Sequence, residues 1–317
     1  MTLGTIIEHY ASIWVLWTAV VIHLIIPLSR DYHPYQLWRI FAKQLADKVN
    51  RPAHQQQSLI SGSLAMLLMM LPLLALLIAF EPLVWDNNFY HLALLIIALD
   101  WRSQESGFTQ LREAMNREDK IKARELLGEI LNRETQSLSL VGLGKAASET
   151  LIIGQFRQVI CVFFWYAIGG GIAAFSYRAL AELHRTWSPS RATYSPFGIP
   201  CARVLYLFEW LPARLLSLLF LMGANSRTTW INLQQQVTGW SSANMAWLLI
   251  SASSPLNLSI GGPVIYEDKK HVRTKLGGRI VPAALHLSQL QKQLRFKTLI
   301  WLAIQTLITL VITGLLA

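Results

Sequence analysis

The chain has 317 residues, of which 53% are hydrophobic and 15% charged, against roughly 25% charged in ordinary soluble domains. That balance, with apolar runs about 20 residues long, excludes a soluble globular protein and predicts an all-α, polytopic integral membrane protein with about four to six membrane helices. The net charge of +10 does not point to nucleic acid, because basic residues beside membrane spans follow the positive-inside bias.

Ile13 to Leu28 is the first predicted span, with Trp14 and Trp17 suited to an interface and His23 as a helix-contact residue. No Lys or Arg precedes Arg30, and Glu8 stands ahead of the apolar run, so the N-terminus reads as an anchor rather than a cleavable signal peptide. Leu59 to Phe80 is the clearest span. Leu83 to Leu99 is a shorter third, with Trp85 and Trp101 at its ends. The segment Ser29 to Gln57 carries Arg30, Arg39, Lys43, Lys48 and Arg51, the connector Glu81 to Asn88 carries neither Lys nor Arg, and Arg102 to Arg157 carries nine. The N-terminus should therefore face outward and both basic segments the cytoplasm.

Between Arg102 and Ser148, Phe108, Leu111 and Met115, then Leu126, Leu127, Ile130 and Leu131, recur at helical spacing. They predict a cytoplasmic helical hairpin that breaks at Asn116 to Asp119. Gln158 to Leu180 can span, and its central Gly169, Gly170 and Gly171 permit close helix approach or a broken helix. Val204 to Met222 is a further apolar run. If both cross fully, the loop Ala181 to Pro200 faces outward; if they are re-entrant, it faces the cytoplasm. The second run carries Arg203, Glu209 and Arg214. A charge at the bilayer centre costs about 3 kcal/mol or more, so Glu209 should face protein or a wet cavity. It marks a functional centre, or else pairs with Arg203 or Arg214 to hold helices together. Gly223 to Lys297 is polar and reads as cytoplasmic, and Leu299 to Leu316 is the last span. Neither a repeat nor a linker divides the chain, so residues 1–317 read as a single membrane domain.

Common catalytic signatures are missing. The string from Gly142 to Lys145 lacks the spacing and the Ser or Thr of a phosphate-binding P-loop, and eight scattered histidines without an HExxH motif give no zinc site. Cys161 and Cys201 form no CxxC pair. Lys269, Lys270, Arg273, Lys275 and Arg279 form the densest basic cluster, which suits anionic lipid headgroups or a phosphorylated ligand. Gly261 and Gly262 either allow a backbone to approach a phosphate or simply turn the chain before Pro263.

A family resemblance runs through these stretches. It rests on HPYQLW from His33, KARELLGEILNRET from Lys122, and Glu149, Thr150 and Leu151 in place of E-S-L. FFW at Phe163, IGG at Ile168, YRA at Tyr177, FG at Phe197, AR at Ala202, WLPARL at Trp210 and IGGP at Ile260 complete it. In order and spacing the chain resembles the CobD/CbiB family of cobalamin-biosynthesis membrane proteins. The resemblance implies an adenosylcobinamide-phosphate synthase, an ATP-dependent amide ligase that joins the carboxylate of adenosylcobyric acid to aminopropanol phosphate with magnesium. It implies corrinoid and amino-alcohol phosphate substrates, contact with membrane lipids and a place in the bacterial inner membrane. On it, Glu149 is the retained catalytic acid, with Glu209 as a substitute acid. His33, Arg124, Arg203, Arg214, Gly261 and Gly262 are candidate substrate or phosphate ligands, and no metal ligand is assigned.

The departures are mostly acids. The family's E-N pair falls on Ile153 and Gly154, its D-G on Arg157 and Gln158, and the Asp of N-T-L-D-S on His184. A double Asp falls on Leu205 and Tyr206, and a late Glu on Leu249. Leu or Arg cannot replace a carboxylate on Mg²⁺ without losing the ligand. Two readings follow: an enzyme of cobamide assembly, or a catalytically degenerate membrane regulator in the manner of AmpE, with a transporter a weaker third.

Overall fold

The computed structural model describes residues 10–25, 34–51, 54–131, 135–223, 225–266 and 269–316. They form helices α1 (Ala11–Ile25), α2 (Tyr35–Val49), α3 (Gln55–Phe80), α4 (Asn87–Ala98), α5 (Trp101–Asn116) and α6 (Lys120–Ile130). After these come α7 (Leu140–Gln155), α8 (Cys161–Thr186), α9 (Ile199–Leu221), α10 (Ser226–Gln236), α11 (Ala243–Ser253) and α12 (Ala284–Leu316). The protein is an all-α polytopic membrane protein. The stretches Gln55–Leu83, Leu140–Thr186, Ile199–Leu221 and Ala284–Gly314 are long and apolar enough to cross a bilayer. Leu64, Leu68 and Leu71 on α3, and Leu307, Ile308 and Val311 on α12, are exposed, which fits faces turned to lipid rather than water.

Two predicted spans are shorter than expected. Helix α1 has 15 residues and α4 has 12, roughly 22 and 18 Å of helix against the ~30 Å hydrocarbon layer. The part of the first predicted span beyond Ile25 lies outside the described residues. His23 is buried and its Nε2 stands 3.0 Å from the Ile96 carbonyl, a helix-to-helix contact.

The hairpin breaks where Asn and Asp predict it. Asp119 caps α6 by accepting the Lys122 N–H at 3.0 Å, and Phe108, Leu111 and Leu127 face the core. It ends before Ser148, because Ser139 caps a new helix, α7.

Helix α8 is two legs. Gly169 and Gly170 leave helical geometry, and Gly170 sits at φ 61°, ψ −156°, a conformation that strongly favours glycine. The N–H of Gly171 donates to Nδ1 of His91 at 2.9 Å, satisfying a donor freed by the break. Arg157 and Ala181 line one cavity of ≈ 270 Å³, whereas a straight helix would place them about 36 Å apart. The chain therefore doubles back at the glycines. The loop after α8 lies at the same end as the α5–α6 hairpin: Arg185 Nη2 donates to the Ile130 carbonyl at 3.3 Å, and Asn50 Nδ2 to the Thr193 carbonyl at 2.7 Å.

The polar region Gly223 to Lys297 is not all surface. It contains α11, whose Asn244, Met245, Ala246 and the run Leu248 to Ser253 are buried. It also holds two short antiparallel ribbons. Strand β1 (Ser259–Gly261) pairs with β4 (Lys275–Gly277), and β2 (Val264–Tyr266) pairs with β3 (Lys269–His271). The loop between β3 and β4 carries Arg273 toward α7.

Candidate active site

The cavity lies between α5, the end of α6, α7, both legs of the α8 region and the ribbon loop. A π-helical turn, Phe156–Ile160, joins α7 to α8. Such a turn inserts an extra residue and is common where a helix must re-aim side chains. Here Arg157 and Gln158 both reach the cavity wall.

Three buried carboxylates stand on or just behind that wall, and each is clamped. Glu149 Oε1 accepts the Gly261 N–H at 3.0 Å, and its two oxygens accept from Arg273 Nη2 at 3.3 and 3.1 Å. Arg273 Nε also donates to the Gly262 carbonyl at 3.2 Å, and its guanidinium lies 4.5 Å from the Trp240 ring centroid. The structure thus brings Glu149, Gly261 and Gly262 together across more than a hundred residues of chain. Glu182 pairs with Arg178 at 2.8 Å and with Arg39 at 2.6 Å. Glu209 accepts from Arg157 Nε at 2.6 Å and Nη2 at 3.0 Å, and from the Tyr177 hydroxyl at 3.3 Å.

The expected partners of Glu209 need correction: it pairs with Arg157, and with neither Arg203 nor Arg214. It is buried behind Arg157 rather than on the cavity wall. Arg203 is exposed on α9, away from the cavity. Arg214 lies between Trp210 and Trp247, at 5.6 and 5.0 Å from their ring centroids, and donates to Asn244 Oδ1 at 2.8 Å. Arg124 donates twice to the Leu138 carbonyl, at 3.1 and 2.8 Å, and so fixes the α6–α7 connection. His33 lies outside the described residues. Its neighbour Tyr35 stacks on Phe175 at 5.6 Å with Arg178 5.5 Å above its ring, and burial pushes the Tyr35 phenol well above its ordinary range.

Sequence reasoning passed over Glu182, Arg178, Gln104 and Gln158 as site residues. Arg178 and Glu182 stand four residues apart in an apolar helix, which signals an ion pair, but one helix alone does not show that it faces a cavity. Four buried polar atoms on residues that line the cavity have no hydrogen-bond partner among the described residues: Gln104 Oε1, Gln158 Oε1, Arg178 Nε and His184 Nδ1. Orphaned buried polar atoms are rare in native proteins, and four of the twelve among the described residues belong to residues that line this cavity. Two amide oxygens offer acceptors and the Arg178 N–H a donor.

A magnesium ion held by protein carboxylates does not fit this arrangement. Among the described residues no three His, Cys, Asp or Glu are grouped to hold a metal, and the three acids at the cavity face guanidinium groups. Anionic oxygens do fit the arginines.

Comparison with known proteins places the chain. It is 28% identical over 196 residues to the cobalamin biosynthesis protein CobD of Stutzerimonas stutzeri, covering 62% of this chain and 65% of that protein. It is 29% identical over 185 residues to the protein of the same name from Chromobacterium violaceum, covering 58% and 59%. A third, from Geobacter metallireducens, is 28% identical over 186 residues, covering 57% and 58%. The matches thus span less than two thirds of these relatives' own length. Their names favour the biosynthetic reading over the regulatory one. No solved structure matches the chain. The CobD/Cbib protein model matches residues 16–296, nearly the whole sequence, and the chain therefore belongs to the CobD/Cbib protein family.

Proposed function

We propose that this protein acts in cobalamin biosynthesis at the bacterial inner membrane, as an adenosylcobinamide-phosphate synthase that joins a corrinoid carboxylate to the amine of an amino-alcohol phosphate. The observation that carries the reading is the cavity with its unpartnered polar atoms, in a chain of this family. An amine supplies N–H donors for Gln104 Oε1 and Gln158 Oε1, and a carboxylate supplies an acceptor for Arg178 Nε. The two kinds of orphaned atom thus match the two reacting groups. A volume of ≈ 270 Å³ suits an amino-alcohol phosphate and one carboxylate arm, while the larger corrin ring stays outside.

In this reading Arg178 holds the carboxylate against the amine, and the glutamines orient the amine's lone pair toward it. Glu149 and Glu209 are positioning residues: the first holds Arg273 and the Gly261 turn, the second holds Arg157. When bound, ATP would supply activation of the carboxylate, with its phosphates held by arginine. No step is assigned to magnesium, whose protein ligands are not evident among these acids. The test is product formation by the full chain in detergent, given adenosylcobyric acid, aminopropanol phosphate and ATP, and read by mass spectrometry. The reading predicts the amide product, and at least tenfold less of it from Gln158→Leu, which removes the acceptor oxygen. Absence of product from folded protein would contradict it.

A further inference from the structure

The string around Lys145 fails as a P-loop in sequence, yet the fold brings its lysine to a glycine turn from elsewhere in the chain. Lys145 lies one helical turn before Glu149 on α7. It is half-buried and makes no hydrogen bond or ion pair among the described residues. Its Nζ stands 3.9 Å from where a Cβ on Gly262 would be, and Gly262 sits at φ 104°, so the ammonium faces a bare stretch of backbone. Lys275, exposed on β4, stands opposite Gly261 across the β1–β4 pair. Glu149, one turn along α7, already accepts from Gly261 and Arg273. Both lysines therefore lie at the Gly261–Gly262 turn, Lys145 from α7 and Lys275 from β4.

We propose that Lys145 and Lys275 hold a phosphate group over the side-chain-free face of Gly262, at the turn that Arg273 and Glu149 bind. Two cations balance a phosphate dianion, and a ligand oxygen can approach the glycine backbone where any side chain would intrude. The phosphate comes either from a soluble phosphomonoester or from the phosphomonoester headgroup of phosphatidic acid, since both present the same dianion. Such a site binds phosphate whatever reaction the cavity performs, so its loss and a failure of amide formation are separable results.

The test is calorimetric titration of the full chain in neutral detergent with inorganic phosphate, beside thermal unfolding in nanodiscs of phosphatidylcholine with or without phosphatidic acid. The proposal predicts phosphate binding that weakens tenfold or more in Lys145→Met and in Lys275→Met and persists in Lys145→Arg. Lys275 is exposed on a short strand, so its variant keeps the fold. If inorganic phosphate does not bind but phosphatidic acid raises the unfolding midpoint only while both lysines are present, the site stands and its source is lipid. No binding to either, or binding indifferent to both lysines, overturns it.

Discussion

Glu209 is the residue whose role the structure changes most. Its charge in an apolar helix marked it as functional or structural, and both of its oxygens meet Arg157, with Tyr177 alongside. The partner was not legible because Arg157 lies 52 residues away and reaches Glu209 only through a π-helical turn that no sequence signal announces. Removing one member of a buried pair strands the other charge, at a cost of about 3–5 kcal/mol. Glu209→Ala should therefore unfold well below the parent in a detergent melt, and the double variant Glu209→Leu with Arg157→Met should recover most of the loss. A Glu209→Ala protein as stable as the parent would contradict the pairing. Glu149, by contrast, was singled out through a family element. Its contact with Gly261 was out of reach, since nothing local in the sequence shows that β1 returns to α7.

At the scale of elements, the glycine run 169–171 was legible as a break, and the break turns out to reverse the chain. What the sequence left open was the side on which the following loop lies. The contacts of Arg185 and Asn50 put that loop beside both basic segments; the α8 region doubles back as a re-entrant segment would, while α9 stays long enough to cross. His91 completes the turn: Nδ1 accepts from Gly171, and Nε2 stands 3.3 Å from Glu81. His91→Ala leaves the Gly171 N–H without its acceptor, which costs about 1–3 kcal/mol. The expected result is a lower unfolding midpoint with phosphate binding at Lys145 unchanged, because the reversal and the ribbon loop lie on different elements. An unchanged midpoint would remove His91 from the turn. Helix α11 was hidden for a different reason. Its eleven residues are too few to register as a span within a polar stretch, and their burial depends on α7 and α9 packing around them.

For the whole molecule, composition and apolar run length were enough to fix the class, because few charges and long apolar stretches leave little besides membrane helices. The site was legible only as scattered candidates. A cavity formed by the hairpin, α7, both legs of α8 and a ribbon is a property of how elements return to one another. Its wall holds Arg157 and His184 at positions where the family resemblance implies aspartate. Whether amide formation runs on that wall is the central claim, and one measurement addresses it most directly. The chain is expressed in a bacterium lacking its own adenosylcobinamide-phosphate synthase, cobyric acid is supplied, and cobalamin-dependent growth is scored for parent and Glu149→Gln. The account predicts growth with the parent and at least a tenfold slower yield with the variant, at equal amounts in the membrane. No growth with the parent protein present in the membrane would contradict it.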